Sequence, residues 1–174
     1  MAVSSEDIKK LREMTSCGVI ECKKALESSN GDFEKAKKVL MDRGLEIAAK
    51  KSGRQAKEGR IETYIHPGNK LAVILEISCE TDFVAKSENF IALTKNIAMH
   101  IAAFNPKYIN REDVPEAEVK AAANAEQYYK EVCLLDQPFV KDPSKSVKDC
   151  VTNLIASIGE NIFIHRYVRY KIGE

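Results

Sequence analysis

The residues with the most chemical content lie together at 79–85, Cys79-Glu80-Thr81-Asp82-Phe83-Val84-Ala85, where a thiol, two carboxylates, a hydroxyl and an aromatic ring join an apolar run to a helix-period run. A thiol nucleophile needs a histidine base brought close in space, and Cys79, at an expected strand end, is the one candidate. The other reading of Cys79 is a small buried hydrophobe, the usual condition of a cysteine in an apolar strand. Thr81 or Asp82 can cap the helix that follows, which puts Phe83 in its first turn. There the ring either folds back on its own helix as a hydrophobic staple or points outward at the sheet rim as an interface anchor. Gly-x-x-x-x-Gly-Lys, Gly-x-Gly-x-x-Gly and Gly-x-Ser-x-Gly are all absent, so neither an enzyme, a cofactor nor a direct nucleotide site is expected.

A second segment with two possible roles is 15–26, TSCGVIECKKAL. Val19 and Ile20 are adjacent and point roughly 100° apart on a helix, so both cannot face a narrow core seam. One is expected outside, where a single apolar residue needs no explanation, whereas two at the start of a basic helix could form a small docking patch. Metal chemistry has less support. Cys17, Cys22, Cys79, Cys133 and Cys150 are scattered without Cys-x-x-Cys, and His66, His100 and His165 stand far apart, so there is no zinc-ligand spacing. An odd number of scattered cysteines suits a reducing compartment better than a disulfide framework.

The 174 residues carry a net charge of +1, with 30% charged and 44% hydrophobic residues, the balance of a folded soluble chain. Residues 1–60 are net +4 and residues 61–174 net −3, but no arginine cluster or aromatic interleaving accompanies the basic third, so no nucleic-acid partner is expected. No apolar stretch approaches the roughly 20 residues of a membrane span, and the first residues show no basic or apolar leader pattern. A cytoplasmic chain without a membrane partner is the expectation.

These segments need elements to position them. Ser4 and Ser5, with Asp7, can cap a helix carrying Ile8, Leu11 and Arg12, with a stop over 15–18. A second helix over 19–28 places Val19, Cys22, Ala25 and Leu26 at helical spacing, and Asn30-Gly31 ends it. Asp32 caps a third, with Phe33, Ala36, Val39 and Leu40 as its stripe and Gly44 as its C′ glycine. The small, charged run that follows predicts a partly helical linker.

Residues 61–66 and 71–79 predict an antiparallel hairpin around His66-Pro67-Gly68-Asn69-Lys70, the second strand central and covered at least partly on both faces. From Val84 a helix carries Phe90, Leu93, Ile97 and Ile101 and ends before Pro106. Helices are expected from Pro115 to about residue 131 and over 144–158, and 162–171 closes the sheet. The class is α+β: a docking domain of three helices over 1–45, a linker over 46–60, and an α+β core over 61–174, its small antiparallel sheet flanked by helices.

LREMTSCGVIECKKALESSNGDFEKAKKVLMDRG, CETDFVAKSENF and QPFVKDPSKSV with the closing RYVRYKIGE occur in the order found in the elongation factor Ts family, and the chain resembles that family over nearly its whole length. The resemblance implies a guanine-nucleotide exchange factor of translation, whose partner is elongation factor Tu. It implies that the N-terminal helices form a ubiquitin-associated-like domain, with Leu11, Val19 and Ile20 at the docking positions, Val-Ile standing where Met-Met is common. It also implies that Thr81, Asp82, Phe83 and Val84 enter the partner's nucleotide domain and disturb its magnesium site. The span 106–133 looks too short for the second core subdomain and coiled coil of longer members, so the resemblance is to the short form, which pairs as a homodimer through the 61–174 core. The rival readings are a protein-interaction module without exchange activity, an RNA-binding protein and an enzyme with an unannounced pocket.

Overall fold

The computed structural model describes residues 3–15 and 17–174. The chain divides into two compact units, Met1–Gln55 with Thr152–Asn161, and Ala56–Val151 with Ile162–Glu174. Among the described residues no helix is long and apolar enough to cross a membrane.

In the first unit, α1 (Ser5–Thr15) opens on a capping box with aspartate in the usual glutamate position. The Asp7 amide donates to Ser4 Oγ over 3.0 Å, and the Asp7 carboxylate accepts from the Ser4 amide over 3.3 Å. The expected stop over 15–18 includes Ser16, which lies outside the described residues. Helix α2 (Val19–Ser28) has the expected bounds. Asn30 and Gly31 then reverse the chain with φ of 53° and 83°, the left-handed region that asparagine and glycine tolerate. Asp32 caps α3 (Phe33–Lys51) by accepting from the amides of Glu34 and Lys35 at 3.0 and 3.1 Å. Leu11, Cys17, Cys22, Ala25, Leu26, Ala36 and Leu40 form the core of these three helices.

Three expectations are corrected here. Val19 and Val39 lie outside the core stripe and are exposed. Gly44 is no helix end: α3 runs through it for another two turns, and it is buried where a Cβ would lie 3.4 Å from Thr152 Cγ2 and 3.7 Å from Ala156 Cβ. The residues after it, Leu-Glu-Ile-Ala-Ala-Lys-Lys, are good helix formers, so helix propensity and packing outweigh the local stop signal.

In the second unit, β1 (Glu58–Ile65) starts three residues before its expected position and pairs antiparallel with β2 (Leu71–Cys79) through the predicted turn. Next come a single turn α4 (Asp82–Ala85) and the long α5 (Glu88–Phe104), where one continuous helix was expected. The region after Pro115 is likewise two helices, α6 (Glu116–Ala121) and α7 (Ala125–Val132), because the Asn124 side chain accepts from the Gln127 amide and starts the second afresh. A small pair, β3 (Pro138–Phe139) with β4 (Asp142–Ser146), takes the residues expected to begin the last helix. That helix, α8, runs Val147–Ile158, with Asp149 and Ser146 closing a box at its start, and its residues from Thr152 onward belong to the first unit.

The last strand, β5 (Ile162–Lys171), pairs antiparallel with β2, giving the order β1-β2-β5 with β2 central as expected. His165 is the extra residue of a bulge opposite Glu76 and Ile77. One face of the sheet is buried through Val73, Leu75, Ile77, Cys79, Ile162 and Ile164, against α5 residues such as Phe90, Ile97 and Ile101. The other face of β2 is partly covered, with Ala72, Glu76 and Ser78 of intermediate exposure, while Ile74 among them is exposed. His100 of α5 is wholly buried, its Nδ1 accepting from the Val140 amide at 3.2 Å, which leaves Nε2–H to donate to Gln137 Oε1 at 2.9 Å.

Candidate functional site

Residues 79–87 stand where β2 ends. Cys79 completes the strand, facing Glu58 on β1 and Ile162 on β5, and is fully buried. Thr81 has extended backbone, and its hydroxyl accepts from the Val84 amide over 3.4 Å, so Thr81 and not Asp82 is the cap of α4. Four residues then make one turn. Val84 and Ala85 face inward, each 8% exposed, and fix the turn to the protein. Phe83 faces away from it, 85% exposed. The staple reading is therefore excluded, and the outward reading describes the structure.

Asp82 lies beside the ring, and Lys86 Nζ reaches its carboxylate at 2.7 Å. This ammonium holds the Asp82 carboxyl below the usual carboxylate range, and the carboxylate in turn raises Lys86. Asp82 is thus ionised at neutral pH and presents an anion next to an exposed aromatic ring. Of the four residues assigned to partner contact, Thr81, Asp82 and Phe83 are exposed, while Val84 is buried as the support of the turn. Sequence patterning missed Lys86, which neutralises part of that charge, although its i, i+4 spacing from Asp82 was readable.

In the first unit, Val19 and Ile20 open α2 and are 52% and 67% exposed. Both are outward, the arrangement of the small docking patch rather than of one isolated apolar residue. Gly18 at the cap position makes no side-chain hydrogen bond, so the first turn of α2 lacks the closure that α3 and α4 have. Leu11 takes no part in this surface. It is completely buried among Cys22, Ala25 and Leu26, because its place on α1 turns it toward the other two helices, and the expected docking contact is corrected to a core position.

A third apolar surface escaped sequence patterning. The outer face of the β1-β2-β5 sheet presents Ile61, Ile65, Ile74, Phe163, Val168 and Tyr170, all exposed, with Thr63, Ile74 and Val168 in one cross-strand row and Ile65, Ala72 and Tyr170 in the next. The signal was available. Ile61, Thr63 and Ile65 share one parity on β1, and in β2 both parities are apolar, which requires a second covered face or an exposed one.

Known proteins resemble this chain along its whole length. The family described as Elongation factor TS matches residues 7–127 and 122–174. An elongation factor Ts of Herpetosiphon aurantiacus is 45% identical, covering 99% of both chains. Those of Thermodesulfovibrio yellowstonii and Acetivibrio thermocellus are 45% and 47% identical, covering 100% and 99% of this chain and 98% and 91% of their own. Family match, full-length similarity and the ordered helical and α+β units agree, and the chain belongs to the elongation factor Ts family.

Proposed function

We propose that this chain is a guanine-nucleotide exchange factor that binds elongation factor Tu carrying GDP and promotes GDP release by disturbing the partner's magnesium site. The observation that carries the reading is Phe83, an almost fully exposed aromatic ring on a turn whose next two residues, Val84 and Ala85, are buried. An exposed Phe gains about 1.5–3 kcal/mol when a partner buries it. That energy can hold the partner in a conformation whose magnesium coordination is displaced, leaving the diphosphate charge less compensated. By linkage, GDP weakens the complex by the factor by which the complex weakens GDP. The protein performs no covalent step, needs no cofactor and makes no contact with the nucleotide itself. Val19 and Ile20 supply a separate docking contact, and the protein works in the cytoplasm.

The test is release of a fluorescent GDP analogue from elongation factor Tu into excess unlabelled GDP, with and without the full chain. Wild-type protein accelerates release and Phe83→Ala lowers the acceleration by about 30-fold, the loss of roughly 2 kcal/mol of ring burial. Unchanged release by the wild type overturns the function; equal release by the variant overturns the mechanism.

The same reading includes a homodimer, supported by the apolar outer sheet face. A sheet face of this kind is self-complementary about a twofold axis and packs against its copy at about 10 Å. Sedimentation at micromolar concentration gives a dimer. Ile74→Glu raises its dissociation constant about 100-fold, because symmetry counts the buried charge twice. A monomeric wild type removes the dimer and leaves the exchange reading intact.

A further inference from the structure

Helix α4 is too short to hold itself. A helical turn fixes several residues for its first hydrogen bond, so an isolated turn is unfavourable, and its geometry must be imposed from outside. Its own backbone gives three hydrogen bonds: the Ala85 amide reaches Thr81 O at 3.3 Å, the Lys86 amide reaches Asp82 O at 3.2 Å and the Ser87 amide reaches Val84 O at 3.0 Å, the carbonyl that the Ser87 hydroxyl also meets.

Two side chains outside the proposed contact close the ends of this turn. At the entrance, the fully buried Cys79 thiol donates to Thr81 O over 3.1 Å, a short distance for sulfur. At the exit, the Ser87 hydroxyl donates to Val84 O over 2.8 Å while accepting from the Phe90 amide over 3.4 Å. Ser87 thus ends one helix and starts the next, and Phe90 beyond it is wholly buried. The exposed ring of Phe83 stands between two carbonyls, each tied to the buried framework by a neighbouring side chain.

We propose that Cys79 and Ser87 are positioning residues for nucleotide release: they hold the turn in the form that presents Phe83 and do not themselves touch the partner. The proposal rests on the role given above to Phe83. A ring held in place before contact loses less freedom on binding than one on a loose loop, so the clamp acts on the step that needs the ring and leaves docking through Val19 and Ile20 alone.

The test compares donor-removing with donor-keeping substitutions in the full chain. Cys79→Ala and Cys79→Ser both lose the sulfur volume, but the serine keeps a proton for Thr81 O. Ser87→Asp keeps an acceptor for the Phe90 amide and has no proton for Val84 O, whereas Ser87→Thr keeps both functions. GDP release from elongation factor Tu is followed over a range of concentrations for these four, the wild type and Phe83→Ala, alongside melting temperature and amide exchange at Ala85 and Ser87. Cys79→Ala and Ser87→Asp lower the maximal rate about fivefold, the worth of one hydrogen bond, with the half-maximal concentration unchanged and faster exchange at both amides. Cys79→Ser and Ser87→Thr recover the rate. Equal rates within each pair, or a loss that follows melting temperature and is not recovered, overturn the clamp while Phe83→Ala still shows that the ring matters. A Phe83→Ala variant as fast as wild type overturns the clamp together with the reading beneath it.

Discussion

Two exposed apolar sites are built here in opposite ways. Phe83 sits on a turn with a threonine cap, two buried residues beneath it and side-chain donors at each end. Val19 and Ile20 open a helix whose cap is a glycine without a side-chain bond, on a unit whose core is three helices. The first arrangement fixes one ring in one place; the second offers two aliphatic side chains at a helix start whose cap residue, Gly18, has no side chain to close it. Rigid presentation suits a group that must disturb a defined site, and an adaptable end suits attachment, so the difference separates action from docking within one chain.

The largest effect that bears on this separation is at Leu11. Truncation of a fully buried leucine costs about 3 kcal/mol, so Leu11→Ala opens the three-helix unit and speeds amide exchange in α1–α3 about 100-fold, while the amides of Val73, Leu75 and Ile77 keep their protection. Docking is lost with the unit. Leu11→Met, which nearly conserves volume, keeps both fold and docking. If Leu11→Met folds normally and still binds weakly, Leu11 meets the partner after all and its core assignment is incomplete.

Next in size is Ile20→Ser. Losing the contact that this sec-butyl side chain makes with the partner costs about 1 kcal/mol of docking, so the concentration giving half-maximal GDP release rises about fivefold with the maximal rate unchanged. Phe83→Ala does the reverse, lowering the maximal rate. A shared pattern for the two variants breaks the division between attachment and action.

The framework on which both sites stand was largely legible. The hairpin, the central place of β2, the closing strand over 162–171 and the bounds of α2 follow from period-two and period-three-to-four patterning with strong turn residues between them. What failed depended on distant partners. Gly44 after Arg43 reads locally as a helix end, but its role is set by Thr152 and Ala156, more than 100 residues away in sequence. The break between α4 and α5 turns on Ser87, an ordinary polar residue whose two hydrogen bonds cannot be seen in the apolar period. Of the site, the positions at the strand end and helix start were readable, but the direction of Phe83 was not. Staple and anchor share one local sequence, and the choice is made by Val84 and Ala85 taking the inward positions.

The smallest effect tests whether the open start of α2 is itself useful. Gly18 has φ −63° and ψ 151°, conformations any residue adopts, and a Cβ there would meet Glu21 Cγ at an ordinary 3.9 Å. Gly18→Ser therefore fits without strain and supplies the missing cap, a gain of a few tenths of a kcal/mol, read as amide exchange slowed about twofold in the first turn of α2. If docking needs an end that adapts, this more stable variant binds no better than the wild type, and its half-maximal concentration stays level or rises. If docking instead needs a preformed end, the concentration falls by the same factor as the exchange rate. In the second case Val19 and Ile20 would obey the same rule as Phe83, and the contrast between the two sites would be one of degree, set by how many hydrogen bonds hold each one in place.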